Sequence, residues 1–378
     1  MNPGVVIVGA GPAGLAVGAC LARRGVPARL LERGGAPGWS WMQQYESLRL
    51  HTTRPLSALP GLGLKSATSY PDRAELIAYL AAYARKLALD VAYGCEVLAV
   101  KRNGDLWEVE TSHDRVQARH VVLATGFFAG PRMPDWPGKD LFQGRWCRPD
   151  DLRLGEDWTG RRALIVGLGN TAADMIPELY RRRAQVMVSV RGPVHVVPLE
   201  VLRVNSFRWS QWLPDRAPTV GRLLGARAGV LAEELSAQLW FRIQERWYSD
   251  LRERGLAFKT PEQILLDHRT GLPPVIGGPW VDLVRRGEVS VAPAIAEITR
   301  DGVVFADGRR ERFDGILLAT GKEESRFRLA GDLPGRLRDG PVPGRPGLWL
   351  CGAAPALRHI RRAAVRVSGA IARDRGRL

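Results

Sequence analysis

The sequence predicts an α/β chain of two doubly wound parallel-sheet domains, the second inserted into the first. Three observations predict it. Short apolar runs ending in glycine recur at residues 5–9, 120–126, 163–167, 315–321 and 348–352. Continuous Val/Ile/Leu runs bounded by glycine read as buried strands of parallel sheets. Helical stretches at 13–24, 73–87 and 171–182 alternate with them, and such alternation means layers joined by crossover helices. The tripeptide Ala-Thr-Gly follows an apolar run twice, at 124–126 and 319–321, marking where the chain leaves one domain and returns to it.

Residues 127–160 hold Pro131, Pro134, Pro137 and Pro149 and read as an irregular linker, because proline at that density opposes regular structure. The expected division is 1–158 and 290–378 for the first domain and 159–289 for the second. A helical insertion over about 205–255 carries Trp209, Trp212, Trp240 and Trp247, most of which are expected to pack in a core. The apolar-rich stretch 219–241 is interrupted by Arg222, Arg227, Glu233 and Glu234 and reads as an amphipathic helix pair.

The composition is that of a globular protein: 378 residues, 45% hydrophobic and 25% charged. Disordered and collagen-like classes are excluded. The net charge of +16 rests on 49 arginines and six lysines. The arginines fall in scattered pairs and triplets, such as Arg161-Arg162 and Arg181-Arg182-Arg183, so a solvated basic surface is favoured over a nucleic-acid footprint. Cys20, Cys95, Cys147 and Cys351 lie far apart, against a disulfide framework, a zinc site and a dithiol centre alike. With no basic-then-apolar leader and no run of about 18 uncharged apolar residues, the expectation is a cytoplasmic protein without a membrane span or a metal.

The first motif is Gly9-Ala10-Gly11-Pro12-Ala13-Gly14, after the run 5–8 and opening a helix near Pro12. Gly9 permits the tight turn, Gly11 lets a pyrophosphate approach the backbone, and Gly14 lets helix and strand pack closely. The phosphate then meets the free N–H groups at the positive end of the helix. Glu32, ending the next strand, can accept both ribose hydroxyls of an adenosine. The second motif is Gly167-Leu168-Gly169-Asn170-Thr171-Ala172, with Ala172 in place of the third glycine. Its following strand, 184–190, ends at Arg191 instead of an acid. A guanidinium can fork onto a 2′-phosphate, so this site reads as NADP; the alternative for Arg191 is a solvated arginine. Two Rossmann-like dinucleotide-binding domains, one marked by an acid and one by an arginine, suit FAD and NADPH working together, the redox chemistry belonging to the cofactors.

At this point the chain resembles the flavin-containing monooxygenases of the single-component, class B type, over nearly its whole length. It is most similar to the branch that includes the indole-3-pyruvate monooxygenases. The resemblance is carried by Gly9–Gly14, by Trp41, Tyr45 and Leu48-Arg49-Leu50-His51, by Ala124-Thr125-Gly126, by Gly167-Leu168-Gly169-Asn170-Thr171 and by Leu318-Ala319-Thr320-Gly321. It implies a reduced flavin that traps O2 as a C4a-(hydro)peroxide and delivers one oxygen atom to a small organic substrate. It further implies cofactor contacts at Arg33, Trp41, His51, Thr125, Gly126, Asn170, Thr171, Thr320, Gly321 and Gly352, with His51, Asn170, Trp41 and Thr52 around the flavin ring and His51 and Asn170 nearest the catalysis. For His51 a packed, hydrogen-bonded histidine is the equal alternative.

One departure stands out. The family's FxGxxxH pattern reads here Phe142-Gln143-Gly144-Arg145-Trp146-Cys147-Arg148, with Arg148 in the histidine's place, where a guanidinium could serve as a phosphate or ribose ligand. His113, His120, His195 and His268 lie at no metal-ligand spacing, and His359 falls near the family's C-terminal flavin segment. The branch suggests indole-pyruvate-like decarboxylating oxygenation. The other option is tailoring of a specialised metabolite by N-, S- or C-oxygenation or Baeyer–Villiger insertion. Trp39, Trp41, Trp240, Trp247 and Trp280 are candidate pocket walls. A disulfide reductase would need a reactive cysteine pair; a non-catalytic flavoprotein is the remaining alternative, and a homodimer is left open.

Overall fold

The computed structural model describes residues 4–126, 128–152, 156–206, 226–324, 328–331, 333, 338–353 and 356–375. The chain divides into two compact units, Met1–Gly130 with Lys322–Leu378, and Pro131–Gly321.

The first unit is built on a six-stranded sheet in the order Gly340–Pro341, Leu348–Leu350, His120–Leu123, Val5–Val8, Ala28–Glu32, Asp90–Tyr93. Every pairing is parallel except the first. Val5, Val6 and Ile7 are wholly buried, as a central strand covered on both faces must be. One face carries the helices Pro12–Ala22 and Leu357–Arg375, meshed through Leu15, Val17, Leu21, Ala363, Ala364 and Val367. The other carries an antiparallel meander, Val97–Asn103, Leu106–Thr111 and Arg115–Ala118, which lays Trp107 and Val109 against Leu123 and Leu350. The helix Arg73–Lys86 begins where Asp72 and Glu75 satisfy each other's backbone N–H groups, a reciprocal cap worth about 1 kcal/mol.

The second unit holds a five-stranded, all-parallel sheet in the order Val289–Ala292, Gln185–Ser189, Arg162–Val166, Gly315–Leu318, Arg145–Cys147. The helix Asn170–Arg181 follows its central strand. A meander of Ile295–Ile298, Gly302–Phe305 and Arg310–Arg312 packs Val303 and Phe305 against Leu164 and Ile316. Beyond this sheet, Val196–Pro198 pairs with Val275–Gly277, and the helices Ala226–Tyr248 and Pro261–Thr270 pack beside them through Ala237, Trp240 and Ile264.

The units change over near 131 and 322, not at the expected 159 and 290. The reason is sheet pairing that no local pattern announces. Arg145–Cys147 pairs with Gly315–Leu317 as an edge strand, and the meander 295–312 covers the second sheet. The prolines of the expected linker all fall outside Arg145–Cys147, so its N–H groups remain free to pair. The two Ala-Thr-Gly tripeptides, unlike the expected boundaries, lie within a few residues of the observed changeovers. Residues 127, 153–155 and 207–225 of the expected linker and insertion, Trp209, Trp212 and Arg222 among them, lie outside the described residues. From Ala226 onward the expected helix pair is one 23-residue helix. Of the tryptophans expected mostly in a core, Trp240 is buried and Trp247 is 48% exposed; Trp280 is buried too, donating Nε1–H to Ile276 O at 2.9 Å.

Candidate active site

In the first unit the run Val5–Val8 turns sharply into the helix at Gly9. Gly9 has φ +101°, and a Cβ there would come within 2.7 Å of Ala124 O. A Cβ on Gly14 would lie 1.9 Å from Gly9 O, so helix and turn touch only because that side chain is absent. At Gly11 a Cβ would meet no protein atom within 4 Å. The helix beyond it has Pro12 in its first turn and no side-chain cap, so its first N–H groups are unclaimed by side chains. Glu32 is buried at the end of its strand. Its Oε2 accepts from Ala10 N at 2.7 Å and its Oε1 from Gly34 N at 2.9 Å, which orients the carboxylate and leaves about half its lone pairs unused. Gly352, at φ +92°, would place a Cβ 3.1 Å from Ala13 Cβ. Thr125 Oγ1 is buried without a hydrogen-bond partner among the described residues, and Gly126 follows at φ +87°. The structure thus gathers Gly9, Gly11, Pro12, Ala13, Gly14, Glu32, Thr125 and Gly352 at one end of the sheet. Arg33 is exposed next to Glu32.

The segment 38–57 leads away from this turn. Gly38 N donates to Ala10 O at 2.9 Å and begins the short helix Trp39–Met42. Arg73 clamps that helix's end, donating to Trp41 O at 3.1 Å and Met42 O at 2.7 Å. Trp41, His51 and Thr52 are half-buried, and Thr52 Oγ1 lies 2.8 Å from Ser57 Oγ. The Arg73 clamp escaped sequence reasoning because it acts across more than thirty residues; Ser57, five residues from Thr52, carries no motif that marks it.

In the second unit the turn repeats. Gly167 has φ +95°, a Cβ there would lie 2.8 Å from Ala319 O, and Gly169 again has open space. The helix Asn170–Arg181 has no side-chain cap. Thr171 is half-buried in its first turn and Ala172 is fully buried. Gly167 N donates to Ser189 O at 2.9 Å, two residues before Arg191, which is exposed and makes no ion pair among the described residues. Thr320 Oγ1 donates to Arg132 O, and Gly321 has φ +89°. Asn170, expected nearest the catalysis, is tied to backbone on both ends of its amide. Nδ2 donates to Pro274 O at 2.9 Å and Oδ1 accepts from Ile276 N at 2.9 Å. It fastens the helix start to the strand Val275–Gly277, a role invisible in sequence because its partners lie more than 100 residues away.

Arg148 is also occupied. Its Nε and Nη2 donate to Asp151 at 3.1 and 3.3 Å, so the fork that stands in the place of the family's histidine closes on its own turn. His113 meets Gly94 O at 3.0 Å, His120 accepts from Trp349 Nε1 at 3.3 Å, and Arg358 Nε donates to His359 at 3.1 Å. All four cysteines are buried and free. Burial pushes the Cys147 thiol up to about 11 and raises those of Cys20 and Cys351, the reverse of what a reactive pair needs. Among the described residues no group of three or more metal-ligating side chains occurs, and no helix is long and apolar enough to cross a membrane.

Two glycine turns with uncapped helix starts, unfilled space over their middle glycines and, at the first, an orphaned buried hydroxyl fit the pyrophosphates of two dinucleotides. The profile of the pyridine nucleotide-disulphide oxidoreductases matches residues 6–199, so the fold is of that α/β type. Indole-3-pyruvate monooxygenase YUCCA1 of Oryza sativa subsp. japonica is 34% identical over 368 residues, covering 93% of this chain and 86% of the relative. Two solved structures show the same fold: a flavin-containing monooxygenase from Stenotrophomonas maltophilia (22% identity, TM-score 0.70, 98% of each chain), and cyclohexanone monooxygenase from Rhodococcus sp. Phi1 bound to NADP+ (19%, TM-score 0.71, 98% of this chain and 84% of that one). The chain belongs to the class B flavin-containing monooxygenase family, enzymes dependent on FAD and NADPH.

Proposed function

We propose that the chain uses NADPH and O2 to place one oxygen atom on a small organic substrate, with FAD held by the first glycine turn and NADP(H) by the second. The observation that carries this reading is the pair of uncapped helix starts, each behind a glycine over which the protein leaves room. Bound FAD, reduced by NADPH, supplies the oxygen-activating chemistry. The chain's own residues bind and orient. Gly9, Gly11, Pro12, Ala13 and Gly14 form the seat of the FAD pyrophosphate. Glu32, braced by Ala10 and Gly34, turns its remaining lone pairs to the ribose hydroxyls. Arg33, Thr125, Gly126 and Gly352 border that seat. Gly167, Gly169, Thr171, Thr320 and Gly321 border the second, and the unpaired Arg191 forks onto a 2′-phosphate. Trp41, His51 and Thr52 wall the flavin ring and keep water from it, and Asn170 positions the second helix start.

A second reading narrows the substrate: the 34% identity to an indole-3-pyruvate monooxygenase favours a decarboxylating oxygenation of a 2-oxo acid over tailoring of a specialised metabolite. A panel of candidate substrates tests both, read by stimulated NADPH consumption and by product mass. Consumption stimulated by indole-3-pyruvate with loss of CO2 supports the narrower reading. Stimulation only by neutral compounds that gain one oxygen atom supports the broader one. No visible flavin absorption in the purified protein overturns both.

A further inference from the structure

A cleft of about 610 Å³ opens on the first unit between the short helix Arg54–Ser57 and the loop that follows it. Its volume is in the range of small-molecule sites. Pro55, Ala58 and Leu64 line it with apolar surface, and Arg54 and Lys65 bring two cations to the same wall. Neither cation makes an ion pair among the described residues, whereas Arg145, Arg162, Arg182 and Arg285 each hold a carboxylate. The carboxylate tied to this loop, Glu75, is held by hydrogen-bond donors and pairs with neither cation. It accepts from Ser66 Oγ at 2.7 Å, Ala67 N at 2.8 Å and Asp72 N at 3.0 Å, and these donors hold its pKa below the ordinary value. The same bonds fix the loop that carries Lys65. Arg54 adds to them, with Nη1 donating to Ser66 O at 3.0 Å and its backbone N to Ser69 O at 3.0 Å. One such bond leaves most of the guanidinium's five donors unused.

We propose that this cleft is a binding site for an amphipathic acid, its carboxylate between Arg54 and Lys65 and its apolar body on Pro55, Ala58 and Leu64. A planar carboxylate matches the arginine fork, and Lys65 adds a point charge. The walls are preformed, so little ordering opposes binding. None of its lining residues belongs to either glycine turn, although the helix that borders it is joined through Ser57 Oγ to Thr52 Oγ1 at 2.8 Å.

The test is calorimetric titration of the full chain with two probes, decanoate and 3-phenylpropanoate, alongside decan-1-ol and 3-phenylpropanamide. At least one acid is expected to bind saturably, its neutral counterpart at least about tenfold more weakly. Arg54→Gln and Lys65→Gln should each weaken the acid about tenfold, with flavin content and melting temperature unchanged. Among the described residues Lys65 makes no hydrogen bond that Lys65→Gln could break, so that variant keeps the test open should Arg54→Gln disturb the loop. Binding of decanoate alone identifies an aliphatic, lipid-like acid, and binding of 3-phenylpropanoate alone an aromatic one; either supports the site. Failure of both acids, equal binding of the neutral compounds, or unaltered affinity in Lys65→Gln overturns it.

Discussion

The two glycine turns are built alike and diverge at two points. Gly9 and Gly167 share a left-handed backbone and face the carbonyls of Ala124 and Ala319 at nearly the same separation, and Gly11 and Gly169 both leave open space. At the third position the first turn needs Gly14, 1.9 Å from a backbone oxygen for any added Cβ, while the second holds Ala172 fully buried. Beyond the second strand the first turn has a buried, braced Glu32 and the second an exposed, unpaired Arg191. The turn is therefore imposed by the neighbouring strand's carbonyl wherever this fold is built. The third residue is a matter of local packing, and the group past the second strand is the proposed selector of the nucleotide.

The largest effect expected from breaking this comparison is at Gly11. Gly11→Val adds atoms where no protein stands, so the variant should fold, melt like the flavin-free wild type and come out colourless. Full flavin occupancy would show that the first turn does not seat FAD. Gly14→Ala should instead cost about 2–3 kcal/mol of stability through a clash with backbone. The reverse change, Ala172→Gly, should cost only about 0.5–1 kcal/mol through chain entropy. Chemical denaturation of the pair measures the asymmetry, and equal costs would mean the two turns pack alike after all.

Histidines sharpen the contrast between the units. In the first, His120 has Trp349 and the Asp374 carboxylate as partners. In the second, His195 is buried with both ring nitrogens unpartnered among the described residues, its ring centroid 6.3 Å from that of His268. Burial, with His268 and Lys259 adding repulsion, pushes its pKa down from 6.5 to about 3. The unfolded chain then binds more protons between those values, so stability present above about pH 6.5 is lost as pH falls toward 3, at most about 1.4 kcal/mol per pH unit. His195→Leu should flatten that slope in denaturation measured across the window; an unchanged slope would assign it elsewhere.

Arg191→Ala is expected to raise the KM for NADPH about tenfold, near 1.4 kcal/mol, and to leave that for NADH unchanged. Equal losses with both would make Arg191 structural. The smallest effect is at His51. His51→Ala should divert a larger share of NADPH oxidation to hydrogen peroxide, as a flavin site less well screened from water would. Unchanged coupling would return His51 to simple packing.

By itself the sequence determined what local chemistry dictates: the strand–helix alternation, both glycine turns with their register, and the acid and the arginine one strand later. These are legible because each depends on residues close together in the chain, through backbone sterics and side-chain periodicity. Only the tertiary structure decided where the units change over, because Arg145–Cys147 gains its identity as a strand from Gly315–Leu317, some 170 residues on. It alone showed that the Asn170 amide is spent on Pro274 and Ile276. It alone set Arg54 and Lys65 in one apolar cleft. Such partners are set by how sheets and helices stack, and a hydrogen bond across a hundred residues leaves no period in the chain to read.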